Sequence, residues 1–92
     1  MVSIQNIRKR NGEIVPFVKE KIMDAIHKAN MESIDETFDT AFLELLTDEV
    51  VSLIKPEGVP AVEFIQDAVE QVLIKNNFAS TAKAFILYTH HR

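Results

Sequence analysis

Apolar positions recur at helical spacing in four stretches of this chain, and a short extended stretch precedes them. Ile22, Ile26 and Ala29, joined by Met23 and Ala25, predict a first helix over 19–30, with Asn30 able to stop it. Phe38, Phe42, Leu45, Leu46, Val50, Leu53 and Ile54 keep one stripe of a second helix. Asp35, Glu36, Asp39, Glu44, Asp48 and Glu49 keep the other. Ser33 followed by Glu36 reads as a capping box, so this helix is expected over 34–55. Pro56 disfavours the helical region for Lys55 and ends it. Pro60 suits the first turn of a third helix over 61–76. Its core face is Val62, Ile65, Val69, Val72 and Leu73, and Asn76-Asn77 offers a left-handed stop. Ser80 or Thr81 caps a fourth helix over 80–91, with Ala82, Phe85, Ile86 and Thr89 in one stripe. Ala84, Leu87 and Tyr88 widen that stripe, so the fourth helix is expected to be enclosed by the others.

Ahead of the helices, Asn11-Gly12 between two extended runs predicts a hairpin over 2–17 with a two-residue type I′ loop. In that register Arg10 faces Glu13, Lys9 faces Ile14, Arg8 faces Val15 and Ile7 faces Pro16. Ile7, Lys9, Ile14 and Pro16 then share one side, and Arg8, Arg10, Glu13, Val15 and Phe17 the other. Pro16 marks an edge strand. A hairpin alone is marginal in water, so it must pack on the helices. The expected architecture is α+β: a four-helix bundle covered by a small β-hairpin, or by a three-stranded mixed sheet if a short strand forms near Val59.

Composition narrows the chemistry. The 92 residues include no cysteine, which removes disulfides, thiolate zinc sites and cysteine nucleophiles. Gly12 and Gly58 are the two glycines, too few and too far apart for a Walker A or a G-x-G-x-x-G loop. No apolar run approaches the length of a membrane span, and no signal peptide opens the chain, so a cytoplasmic location and no membrane partner are expected. The net charge of −4 argues against nucleic acid as a partner. It hides an uneven distribution: residues 1–30 sum to +3, 31–74 to −10 and 75–92 to +3. If the two ends meet, they form a positive site on an acidic body, suited to a small polyanion.

Other candidates are weaker. Ser3, Ser33, Ser52 and Ser80 have no His/Asp signature, and the carboxylates of the second helix are spaced as a solvated face, so no catalytic residues are assigned. His27, His90 and His91 do not form a metal pair, since neighbours on a helix point apart, and no metal ligands are assigned.

Four ordered segments resemble the ATP-cone family: Ile7-Arg8-Lys9-Arg10-Asn11-Gly12, then Val15-Pro16-Phe17 with Lys21-Ile22, then 62–70, then 81–88. The wording of the last two is most similar to cones at the N-terminus of anaerobic, glycyl-radical ribonucleotide reductases. The resemblance implies a regulatory domain, not an enzyme, that takes ATP or dATP with Mg2+ as an allosteric ligand and controls the overall activity of ribonucleotide reductase. By it the host enzyme is a ribonucleoside-triphosphate reductase. It places the phosphate-binding cations at Lys9, Arg10 and Lys21. It places the adenine pocket at Val15, Val18, Ile22, Val59 and Val62, and further contacts at Tyr88, His91 and Arg92. Its implied partners are a reductase catalytic domain or subunit and further copies of the chain in a homo-oligomer. Some cones carry an acid where Val15 stands, a histidine where Glu63 stands and a lysine where His91 stands. Those departures motivate the alternative: a helical interaction or oligomerisation module whose degenerate cone no longer binds nucleotide. A zinc-ribbon repressor of reductase genes is disfavoured by the absence of cysteine.

Overall fold

The computed structural model describes residues 4–54 and 58–90, with the side chain of His90 left aside. Strands β1 (Asn6–Arg8) and β2 (Ile14–Pro16) form an antiparallel hairpin, followed by helices α1 (Lys19–Glu32), α2 (Thr40–Leu53), α3 (Val62–Lys75) and α4 (Ala79–His90). The class is α+β, as expected. α1 packs on α2 and α4, and α3 packs on the same two, so the helices close a four-membered ring. Ile26, Val50, Val72, Leu73 and Phe85 are buried at its centre. A single parallel bridge, Arg8 to Ala61, adds a third extended segment beside β1. The Arg8 N–H donates to the Pro60 carbonyl at 2.9 Å. That contact keeps Pro60 extended, so it lies just before the N-cap Ala61 instead of inside the first turn of α3.

The hairpin register differs from the expected one by a residue. Ile7 pairs with Val15, Arg8 with Ile14 and Asn6 with Pro16. The loop holds three residues, closed by Lys9 N–H to Glu13 carbonyl (2.8 Å) and Gly12 N–H to Lys9 carbonyl (2.9 Å). A type I′ turn needs positive φ at both central residues; here Gly12 takes it (+90°) and Asn11 does not. Instead the Asn11 side-chain oxygen accepts the Glu13 N–H at 2.9 Å, a local turn bond that favours the longer loop. A one-residue slip exchanges faces. Ile7 and Val15 therefore lie half-buried on the bundle side, while Arg8, Ile14, Asn6 and Pro16 are exposed.

The capping box at Ser33 does not form. α2 starts six residues past the expected 34, at Thr40, with Asp39 as N-cap accepting the Phe42 N–H at 2.8 Å. Ser33 is instead the C-cap of α1, its hydroxyl bonded to the carbonyls of Asn30 (2.7 Å) and Glu36 (2.8 Å). Asn30 does not stop α1 either. Its buried side chain accepts the Phe38 N–H (2.8 Å) and donates to the Glu36 carbonyl (3.0 Å) and the Thr81 hydroxyl (3.1 Å). Phe38 is thus buried in the α1–α2 loop, edge-on to Phe42 and Phe78 with centroids 5.2 and 4.8 Å away.

Ser80 and Thr81 lie inside the first turn of α4 and do not cap it. The cap comes from the Glu36 carboxylate, which accepts the N–H of Ser80 (3.2 Å) and of Thr81 (2.8 Å) and the Thr81 hydroxyl (2.6 Å). At the end of α3, Asn77 takes a φ of +67°, the expected left-handed stop. Phe78 N–H reaches the Leu73 carbonyl (2.9 Å) and Asn77 N–H the Ile74 carbonyl (3.0 Å), the paired bonds of a Schellman ending. Contrary to the expected enclosure, α4 leaves Leu87 and Tyr88 exposed. The expected second-helix end at Lys55-Pro56 and the fourth-helix end at His91 lie outside the described residues.

Candidate functional site

The face that the register turns inward roofs a cavity of about 180 Å3. Ile7, Val15, Pro16 and Phe17 come from the hairpin, Val18, Lys21, Ile22 and Ala25 from the start of α1. Val62, Ile65, Gln66 and Val69 come from α3, and Phe85 from α4. The α3 contributors follow helical spacing, so one face of that helix forms a wall. Pockets that take in a whole drug-sized ligand run to about 300–1,000 Å3. A cavity of this size instead encloses one flat ring system and leaves a ligand's remaining groups at the rim.

One cation lines the cavity, and two stand on the hairpin that roofs it. Lys21 lines the cavity from the first turn of α1. Lys9 follows Ile7 on the inward pleat of the hairpin, its ammonium 3.9 Å from Glu13. Arg10 reaches across to the bundle: its Nη2 is 3.5 Å from both Gln66 Oε1 and the Thr89 carbonyl, and its Nε is 3.6 Å from Glu63. The hairpin tip thus meets the last turns of α4 at Thr89. Lys9 and Arg10 each face a carboxylate, whereas no carboxylate among the described residues pairs with Lys21. Exposed pairs of this kind contribute about 0–1 kcal/mol, so an anion of higher charge can displace them.

Of the residues expected around an adenine, Val15, Val18, Ile22 and Val62 line this cavity, and Val59 is half-buried outside its lining. Tyr88 lies elsewhere, in an apolar groove between α1 and α4 with Met31, Ala84 and Leu87. His91 and Arg92 lie outside the described residues. Of the described C-terminal groups, Lys75 pairs with Glu49 on α2 at 2.9 Å, and α4 offers Arg10 the Thr89 carbonyl. Two carboxylates of the acidic middle segment hold lysines, Asp48 with Lys19 and Glu49 with Lys75. The Asp48 carboxylate, against burial that acts the other way, holds the Lys19 ammonium above its ordinary pKa. The missed residue is Gln66. Among the described residues it is the one neutral polar side chain lining the cavity, and its signal was a glutamine between Val62 and Val69 on an otherwise apolar face.

No group of three or more carboxylates or histidines among the described residues is placed to hold a metal ion. A magnesium ion usually keeps several waters and binds through phosphates with one or two carboxylates. Such an ion fits here only as a passenger on a phosphate chain at the rim.

A small apolar cavity under a basic hairpin, with Lys21 in its lining and Arg10 on its Gln66, has the makings of a pocket for a small anionic ligand. The chain matches the ATP cone domain family over residues 5–92 and belongs to it. It is 42% identical over 94 residues to the vitamin B12-dependent ribonucleoside-diphosphate reductase of Thermoplasma acidophilum, covering 97% of this chain and 12% of that protein. It is 37% identical over 94 residues to ribonucleoside-diphosphate reductase subunit alpha of Treponema pallidum, covering 95% of this chain and 11% of that one. The corresponding alpha subunit of Chlamydia trachomatis is 31% identical over 107 residues, across all of this chain and 10% of its own length. The chain therefore spans about a tenth of the curated relatives it matches. These relatives are named as diphosphate reductases, one of them B12-dependent, and none carries the anaerobic or triphosphate label expected from the wording of α3 and α4. As an ATP cone, the chain is an allosteric nucleotide-binding domain.

Proposed function

We propose that this domain senses ATP and dATP, taken up with Mg2+, and sets the activity of a ribonucleotide reductase catalytic body to which it is joined. The observation that carries the reading is Lys21, a cation with no carboxylate partner among the described residues, in the lining of a small apolar cavity. A base enters between Val15, Ile22 and Val62, and the phosphates leave toward Lys21, Lys9 and Arg10. Charge-assisted hydrogen bonds contribute about 1.5–3 kcal/mol each, so three cations supply about 4.5–9 kcal/mol, and burial of the base in the apolar cavity adds to that against the association cost. The reductases named among the relatives support a ribonucleotide reductase as the host enzyme.

Titration calorimetry of the chain with Mg-ATP and Mg-dATP tests this. Saturable heat is expected, and none at millimolar ligand would refute it. Lys9→Ala should weaken triphosphate binding about tenfold, one charge-assisted bond, while the melting temperature of the free protein stays within a degree or two. The Lys9–Glu13 pair it removes is exposed and contributes little. Glu63→Gln should act the other way. It frees Arg10 from a competing carboxylate 3.6 Å away. Binding should tighten about two- to fivefold at low salt, and less as salt screens the pair.

A second reading draws on the groove between α1 and α4. Met31, Leu87 and Tyr88 are exposed there, at 71%, 63% and 57%, more apolar surface than a solvated helix pair needs. It makes the chain an interaction module that associates through that groove without nucleotide. An oligomeric state that ignores ATP, with melting unchanged by it, is its signature.

A further inference from the structure

We propose that Gln66 is the specificity-determining residue of the cavity, reading a purine as adenine rather than guanine; the proposal rests on the nucleotide-sensing reading above. Among the described residues, the cavity walls are apolar apart from Lys21 and Gln66. Lys21 sits in the first turn of α1, where it serves the phosphates, and apolar contact holds any flat ring alike. In such pockets a few placed polar groups supply specificity, and here that task falls to Gln66. Its orientation is set from outside. A guanidinium has donors and no acceptor, so the Arg10 Nη2, 3.5 Å away, engages the carboxamide oxygen Oε1. The group left for a ligand is the Nε2 amide, a donor. Adenine carries acceptors at its ring nitrogens, N1 among them. Guanine carries N1–H at that place, so two donors would face each other. A buried donor without an acceptor costs more than a bond gained elsewhere returns, which is why polar groups discriminate where apolar walls do not.

The test is calorimetric titration of the wild-type chain, Gln66→Leu and Gln66→Glu with Mg-ATP and Mg-GTP, alongside a melting curve of each free protein. Leucine is of similar size and favours helix. Gln66→Leu should weaken ATP binding about tenfold and leave GTP binding unchanged or tighter, so the ATP-to-GTP preference falls tenfold or more. Gln66→Glu places acceptors where the donor was and should shift the preference toward GTP. A purely structural role would lower both affinities together and move the melting curve. An ATP-to-GTP ratio that is the same in wild type and both variants overturns the assignment while leaving nucleotide sensing intact. Absence of ATP binding in the wild type overturns both. If Gln66→Leu fails to fold, the ratio in Gln66→Glu decides alone.

Discussion

Lys21→Glu is expected to lower ATP and dATP affinity by a hundredfold or more, the largest functional effect of any single substitution at the site. Lys21 lines the cavity mouth, and no carboxylate among the described residues already offsets it. Its full charge is therefore available to a phosphate. Removing it forfeits about 1.5–3 kcal/mol, and a carboxylate in its place adds repulsion of similar size. At about 1.4 kcal/mol per decade, the sum is two to four decades. The fold should not suffer, because an acid in the first turn of α1 suits the helix dipole. Calorimetry for affinity and a melting curve for the free protein check the two halves. Affinity within threefold of wild type would show that the phosphates lie elsewhere.

Glu36→Ala is expected to cost about 2–3 kcal/mol of stability, since it strands the buried Thr81 hydroxyl and two helix N–H groups. For a domain of this size the melting temperature should fall by about 10 °C or more. The effect has a pH signature. Burial alone would raise the Glu36 pKa; the bonds from the Thr81 hydroxyl and the Thr81 and Ser80 amides outweigh it and hold the carboxyl below its ordinary range. A carboxyl with a depressed folded-state pKa stabilises fully above its unfolded pKa and loses that contribution as pH falls through the folded value. The gap between wild type and Glu36→Ala should be widest near neutrality and close on acidification below the ordinary glutamate range. Glu49 behaves alike: its bond from Lys75 outweighs burial, and it too is held low. Denaturant melts at a series of pH values measure both. A gap independent of pH would mean that the loop, and not its charge, secures α4.

Much of the candidate site was legible in the sequence, because period and local turn chemistry write it. The wall of α3 follows from Val62, Ile65 and Val69 at helical spacing. The hairpin cations stood out beside apolar neighbours, and the family resemblance added Lys21 to Lys9 and Arg10. The hairpin was legible from Asn11-Gly12, its register was not. Asn11 had two uses, as a left-handed turn residue or as an acceptor for the Glu13 N–H, and the difference between them is small. That one-residue difference placed Val15 with Ile7 on the inward face. The family resemblance put Tyr88 in the site, but it lines the α1–α4 groove.

The chain of residues alone was sufficient for the four helices, the left-handed stop at Asn77, the positive hairpin and the exclusion of cysteine and glycine-loop chemistry. Those depend on spacing, φ preference and composition, which act over a few residues. Assembly of the bundle was needed to decide which groups serve which. Ser33 and Glu36 match a capping box, yet one closes α1 and the other caps α4, 44 residues along the chain at Ser80. Arg10 and Gln66 are 56 positions apart and meet only once the hairpin lies across α3. Hydrogen bonds and ion pairs are taken by the nearest satisfied geometry in space, and sequence separation carries no record of it.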